Sequence, residues 1–414
     1  MRLAAMAWRN VFRQKRRTLI ALSALVIGLA GLVVFQGYIA RVMSNFRDRT
    51  ILSGIGHVQV AGGEGYWEDG EFDPYAYLMK DAELRMDEIR REPGVEAVFP
   101  STGFTSIAGF GDKSATLLVK AYPADRMYFA PPAGPGSKTV DAPKYRFNLG
   151  ALVAGAVPGP ADRDRIVLGE TAARILGARS GDVVTLMGLL PDGALNGRDF
   201  TVAAIYRDPG RDKLFAFTDY LTAMDFTGIA APPVFHVLLK DSGLADALAA
   251  SLPRGMARRT WSRLAPFYSQ LNTMFNGFLA VIRSIILIVT LFILGNTMNR
   301  IVFERMREWG TLRALGTSRR SILALVVLEG SFLGLVGSAV GIGLGFGLSE
   351  LVNIGGGLPF REGAGLALHM IRLAPDLRAV WLNMLPVTAT AALASLFPAG
   401  RAIGLTPSEC LRQI

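Results

Sequence analysis

Between Arg17 and Arg41 the chain runs for 23 residues without a charged side chain, TLIALSALVIGLAGLVVFQGYIA, a stretch that an ordinary soluble fold would have to bury all round. A helix of about 20 apolar residues, rising ~1.5 Å per residue, matches the roughly 30 Å hydrocarbon core of a bilayer. The run therefore predicts a first membrane span over residues 18–40. It is longer than the roughly 7–15 residues of a signal-peptide apolar region and no A-x-A site follows it, so it reads as an uncleaved anchor.

Three more such stretches follow. Between Leu264 and Asn299 only Arg283 is charged. A helix of that length would measure about 54 Å, which predicts a stalk leading into a second span over 264–299, with Arg283 snorkelling at the interface. Residues 321–349 contain one acid, Glu329, and residues 380–400 contain no charge, giving spans three and four. In span three, Gly334, Ser338, Gly341, Gly345 and Ser349 recur every three or four positions. Such a small-residue stripe lets helices approach closely, within one bundle or between two copies. Glu329, the lone acid inside a span, is a functional candidate that can also pair with a cytoplasmic arginine.

Where the charge lies separates a membrane protein from a nucleic-acid binder. The chain carries a net +10, although only 19% of its residues are charged against about a quarter in soluble domains. Residues 1–17, 300–320 and 401–414 together hold fourteen basic and three acidic residues, whereas 41–263 holds 26 and 27 and the loop 350–379 is balanced. Basic flanks mark the cytoplasmic side. The expectation is cytoplasmic termini, a cytoplasmic loop at 300–320, and a large external domain at 41–263. Topology and membrane-surface contact then explain the excess charge, and no nucleic acid is expected as a partner.

The external segment reads as mixed α+β. Strands are predicted at GHVQVAG, VEAVFP, ATLLVKAY, DFTVAAIY and VFHVLLK, and a strand-helix-strand unit at RIVLGETAARILGARSGDVVTLM. The proline- and glycine-rich stretch 123–160 is expected to form loops or an insertion near the border of two interleaved subdomains. Chemistry is sparse. The single cysteine, Cys410, cannot form a disulfide within the chain, and His57, His236 and His369 lie too far apart for a ligand motif. GPGSKT at 134–139 lacks the second glycine of a phosphate loop, and no G-x-S-x-G elbow occurs. Glu170 and Asp182 flank a short helix and suit capping and turn roles better than catalysis.

The most informative segment is FERMREWGTLRALGTSRRSI, residues 303–322. Met306, Trp309, Leu312 and Leu315 recur every three residues, Gly316 stops the helix they imply, and Ser318 can cap the next. An amphipathic helix lying on the membrane and a docking element for a cytoplasmic partner both fit this pattern.

This segment resembles the coupling loop of FtsX/MacB-type ABC transporter permeases, close to RExGxLRALGxSRxxI, through Arg307, Glu308, Gly310, Leu312, Arg313, Ala314, Leu315, Gly316, Ser318, Arg319 and Ile322. Trp309 departs from the usual isoleucine or leucine. LAAMAWRNVFRQKRRT at the start, PAGRAIGLTPSECLRQI at the end and LGETAARILGARSGDVVTL in the middle are likewise similar to that family. The early GHVQV and the unfused length resemble the lipoprotein-releasing Lol-type branch.

The resemblance implies a fold of four transmembrane helices plus a large α+β extracytoplasmic, MacB-like periplasmic domain between the first and second. It implies a bacterial inner-membrane permease with no ATPase site and no cofactor of its own, ATP and magnesium being bound by a partner ATPase dimer. Glu304, Arg307, Glu308, Gly310, Leu312, Arg313, Leu315 and Gly316 would couple to that ATPase, with Glu329 as an intramembrane candidate. A second permease copy, identical or related, membrane lipids, a lipoprotein or lipid cargo and a periplasmic carrier or adaptor are the further partners implied. MacB-like efflux and FtsX-like signalling to a periplasmic hydrolase are the alternatives.

Overall fold

A computed structural model describes residues 15–70, 73–131, 144–208, 214–253, 255–361 and 368–404. GPGSKT and Cys410 lie outside the described residues. Two compact units emerge, a helical one from residues before 45 and after 269, and a β-rich one from residues 45–269. In chain order the helices of seven or more residues are α1 (Lys15–Thr50), α2 (Ala82–Arg90), α3 (Glu170–Leu176), α4 (Tyr220–Thr227), α5 (Ala245–Ser251), α6 (Pro266–Glu304), α7 (Met306–Ala314), α8 (Arg319–Ile354) and α9 (Arg378–Gly404). Of these, α1, α6, α8 and α9 are long and apolar enough to cross a membrane.

The helical unit is built around the glycines of α8. A β-carbon at Gly334 would stand 2.5 Å from Ala391 Cβ on α9, and one at Gly330 would collide with Ser395. Three residues further on the small face turns to α1: β-carbons at Gly337, Gly341 and Gly345 would lie 2.7, 2.9 and 2.7 Å from Leu25, Leu29 and Val33. Close approach of backbones is what holds membrane helices together, since lipid tails are as apolar as leucine. The stripe read from the sequence is thus used inside the chain. Gly343 and Gly347, on the opposite face, have open space beside them.

Two features of this unit differ from the sequence reading. Arg283 does not simply snorkel: its Nε donates to Asn383 Oδ1 at 3.2 Å, and Asn383 Nδ2 donates to Gln36 Oε1 at 3.0 Å. A buried amide on α9 gives the guanidinium a partner within the bundle. The loop after α8 is also more than a linker, because β12 (Leu358–Arg361) and β13 (Leu368–Ile371) pair antiparallel. Asn353 secures its base, accepting from Leu373 N at 2.7 Å and donating to Leu373 O at 3.0 Å.

The β-rich unit contains β1 (Val58–Ala61), β2 (Val95–Phe110), β3 (Lys113–Tyr122), β4 (Met127–Ala130), β5 (Phe147–Gly155), β6 (Arg165–Gly169), β7 (Val183–Leu189), β8 (Leu195–Arg207), β9 (Phe215–Asp219), β10 (Val234–Leu239) and β11 (Ala257–Thr260). Pairing runs β2-β3-β9-β6-β8, and β7 bridges β8 back to β2, so six strands close a ring. Alternating side chains such as Phe104, Leu117, Ile166, Leu168, Val184, Leu186, Phe200 and Val202 fill its core. β2 is long enough to leave the ring and pair β10, which continues through β1 to β11. A second core, including Val58, Ile89, Phe99, Phe147 and Val237, lies against that extension.

The stretch 123–160 is not all loop. Its described part forms β4 and β5, because Met127, Phe129, Phe147 and Leu149 alternate inward and are buried despite the surrounding glycines and prolines. Two expected acids take structural roles: Glu170 accepts a two-pronged contact from Arg207 at 2.6 and 2.7 Å, and Asp182 Oδ2 accepts from Arg179 N at 2.7 Å in the turn before β7.

Candidate functional site

The second membrane helix ends at an elbow. α6 runs 39 residues to Glu304, Arg305 leaves helical geometry at φ −105°, ψ 13°, and α7 begins at Met306. α7 then stops in a Schellman arrangement: Gly316 N donates to Arg313 O and Thr317 N to Leu312 O, both at 3.0 Å. That turn needs a left-handed residue, and Gly316 supplies φ +93°. α8 starts immediately, its cap Ser318 Oγ accepting from Ser321 N at 3.2 Å.

Arg305 is the pivot of this elbow. Its Nη1 donates to Glu329 Oε1 at 2.6 Å and its Nε to Glu308 Oε2 at 2.9 Å. Glu329, on α8, has a side chain only 4% exposed. A carboxylate so removed from water requires a charged, hydrogen-bonded partner, and losing that partner costs roughly 3–5 kcal/mol. The guanidinium also faces the ring of Trp309 at 5.8 Å.

α7 presents one face inward and one outward. Met306, Trp309 and Gly310 are buried, and Trp309 packs with Leu294, Met298, Val302, Ile322 and Val326 while Leu312 lies half-buried on the same cluster. Glu304, Arg307, Glu308, Thr311, Ala314, Leu315 and Gly316 are exposed, with Leu315 at 79%, and Arg313 is half-buried. The sequence expectation grouped Leu312 with Leu315 as one docking face. A three-residue period drifts around a 3.6-residue helix, so the two leucines part company: one holds the helix to the bundle, the other faces outward.

The sequence reading anticipated an arginine for Glu329 without identifying it. Arg305 sits at the break between α6 and α7, where its guanidinium turns back toward α8. Trp309, which departs from the usual isoleucine or leucine, is the buried anchor of α7.

The base of the β-rich unit has its own junction. Phe46 near the end of α1 stacks on Tyr268 at the start of α6, with centroids 6.0 Å apart and planes 7° apart. Tyr268 in turn meets Trp261 edge-on at 4.8 Å. After α1 a π-turn over Ile51–Ile55 is pinned to the strands: His236 Nδ1 donates to Ile55 O at 2.9 Å while Ser101 Oγ donates to Nε2 at 2.7 Å. His57 accepts from Leu239 N at 3.1 Å and reaches Ser242 Oγ at 3.2 Å. Both imidazoles are neutral, and burial pushes each down to about 4. Among the described residues no group of three or more His, Cys, Asp or Glu side chains is placed to hold a metal.

Comparison with known proteins accounts for this layout. The MacB-like periplasmic core domain family matches residues 18–254, more than half of the chain, and the FtsX-like permease C-terminal family matches residues 280–407. The chain belongs to the MacB-like periplasmic core domain family, and its C-terminal part matches the FtsX-like permease. An uncharacterized ABC transporter permease of Methanocaldococcus jannaschii is 36% identical over 94 residues, covering 23% of this chain and 24% of that protein. The Bacillus subtilis ABC transporter permease YknZ is 33% identical over 117 residues, covering 28% and 26%. The chain thus spans about a quarter of the length of these curated relatives. The periplasmic region of MacB from Actinobacillus actinomycetemcomitans aligns at 14% identity with a TM-score of 0.34, covering 52% of this chain and 94% of that one.

Proposed function

We propose that the chain is the membrane subunit of a transporter in which a separate ATPase drives movements of the β-rich domain, and that its cargo is a lipid or lipoprotein taken from the outer leaflet of a bacterial inner membrane. The observation that carries the reading is the elbow, where one arginine ties the end of a 39-residue helix to both α7 and α8. A push on the outward face of α7 then reaches α6 and α8 through Arg305 and its two ion pairs, of which the one to Glu329 on α8 is buried. Coupling of this kind needs an element with two arrangements, and the aromatic junction of Phe46, Trp261 and Tyr268 is a candidate.

In this reading the ATP and magnesium chemistry belongs to the ATPase. Lipid cargo is favoured by an apolar groove of about 190 Å³ between α1 and α6, lined by Ala24, Leu25, Gly28, Ile286, Val289 and Ile293. Phe278, Val281, Ile285 and Phe292 on α6 are each more than half exposed, which suits a second copy, identical or related, packed along α6.

Affinity purification of the tagged chain from its native membrane in mild detergent, with mass spectrometry of proteins and lipids, tests the reading. Recovery of an ATPase with a lipoprotein or a defined lipid is expected. An outer-membrane tunnel partner would instead favour efflux, a periplasmic hydrolase without lipid enrichment would favour signalling, and absence of any ATPase would overturn the coupling itself. Orientation is checked separately: a cysteine at Ala194 should react with an impermeant thiol reagent from outside, and Cys410 should not.

A further inference from the structure

Arg283 is a charge in a hydrophobic helix with no acid paired to it among the described residues. Its one polar contact among the described residues is the 3.2 Å bond from Nε to Asn383 Oδ1, which leaves all four Nη hydrogens unused. Asn383 is 1% exposed and spends its own amide on Gln36 Oε1 at 3.0 Å. With Gln36 Oε1 accepting, the remaining polar atom of Gln36 is its amide nitrogen, another donor. The cluster formed by α1, α6 and α9 therefore offers hydrogen-bond donors and a full positive charge, and each of its two amide oxygens already accepts one bond. Such a cluster is built for an anion.

Its depth selects the kind of anion. Arg283 lies five residues inside Phe278, where the apolar part of α6 begins, which is about 7 Å below the domain-side boundary of the hydrocarbon. An arginine side chain spans about that distance, so its guanidinium reaches the boundary where the headgroup region begins while its stem stays among apolar groups. Below it on the same helical stripe come Ile286, Thr290 and Leu294, which line the groove between α1 and α6. Charge at the mouth and an apolar channel beneath it match an amphiphile with a phosphate head.

We propose that Arg283, positioned by Asn383 and Gln36, binds the phosphate of a glycerophospholipid whose acyl chain occupies the groove between α1 and α6. Asn383 fixes the guanidinium plane through Nε and so directs the paired Nη hydrogens, the fork suited to phosphate oxygens. The groove is shared with the proposed cargo path, but the inference concerns binding alone: it needs no ATPase and no transport cycle, and can fail while coupling holds.

The test uses the full chain, purified, stripped of lipid and titrated with dioleoylphosphatidylglycerol, with dioleoylglycerol and with inorganic phosphate, bound adducts being counted by native mass spectrometry. The expected result is at least about tenfold tighter retention of phosphatidylglycerol than of diacylglycerol, with inorganic phosphate binding too weakly to displace it. Arg283→Gln should bring the two lipids to equal affinity, and Arg283→Lys should keep part of the difference. Equal retention of both lipids by the unaltered chain would overturn the proposal without any variant having to fold. Displacement by inorganic phosphate would overturn the lipid assignment in favour of a free anion, and an unchanged preference in Arg283→Gln would remove the arginine from the site.

Discussion

Arg305 Nη1 lies 2.6 Å from Glu329 Oε1, joining the break after the second membrane helix to the interior of the third. The carboxylate is nearly inaccessible, so the pair acts as a strut whose two halves cannot be removed independently. Arg305→Met should lower stability by about 3–5 kcal/mol, because it strands a buried charge. Arg305→Met combined with Glu329→Leu should recover most of that loss while leaving ATPase activity uncoupled from the permease. Unfolding midpoints in detergent, read beside ATPase stimulation in the reconstituted complex, check both; a single variant as stable as the parent would show the strut to be dispensable.

The glycines of α8 separate internal packing from outward-facing surface. Gly334→Leu must displace Ala391, which should cost at least about 1–3 kcal/mol and reduce the folded yield. Gly343→Leu meets open space and should change stability by less than about 0.5 kcal/mol. Thermal midpoints of the two variants decide this, and their oligomeric state decides whether Gly343 faces another copy: loss of a dimer in Gly343→Leu alone would place the second copy there.

The membrane half of this molecule was legible in the sequence because hydrophobic length is a physical requirement there, and each uncharged run corresponds to a helix. The helices overrun those runs: α1 continues through Arg41, Arg47, Asp48 and Arg49 to Thr50, since leaving the apolar layer does not end a helix while its backbone bonds remain favourable. The β-rich unit was legible strand by strand but not as a closed ring. Closure depends on β7 pairing both β2 and β8, a long-range choice with no local signature. Composition misled at 123–160, where buried Phe147 and Leu149 outweigh the glycines and prolines beside them. Beyond the elbow, the glycine stop of α7 was readable, whereas the break at Arg305, the inward turn of Trp309 and the partner of Glu329 depend on the packing of three helices.

Stability of the β-rich unit should fall in mild acid. His236 and His57 are held neutral with folded pKa values of about 4, below the ordinary 6.5 that applies when the chain unfolds. The unfolded state therefore binds more protons between those values. Stability is complete above pH 6.5 and is lost as pH drops toward 4, by about 2 kcal/mol per histidine between pH 7 and 5. His236→Gln should be less stable than the parent at pH 7 and show a shallower decline toward pH 5. Thermal midpoints across that range would contradict this if parent and variant declined in parallel.

The claim that the outward face of α7 receives the force of the ATPase is tested most directly by photocrosslinking. A photoreactive residue placed at Leu315 in the full chain, expressed with its ATPase, should crosslink to that subunit, and the same residue at Leu312 should react chiefly within its own chain. Leu315→Asp should then abolish co-purification of the ATPase with the folded permease. Crosslinking from Leu312 but not from Leu315, or an ATPase retained in full by Leu315→Asp, would contradict the assignment of the coupling face.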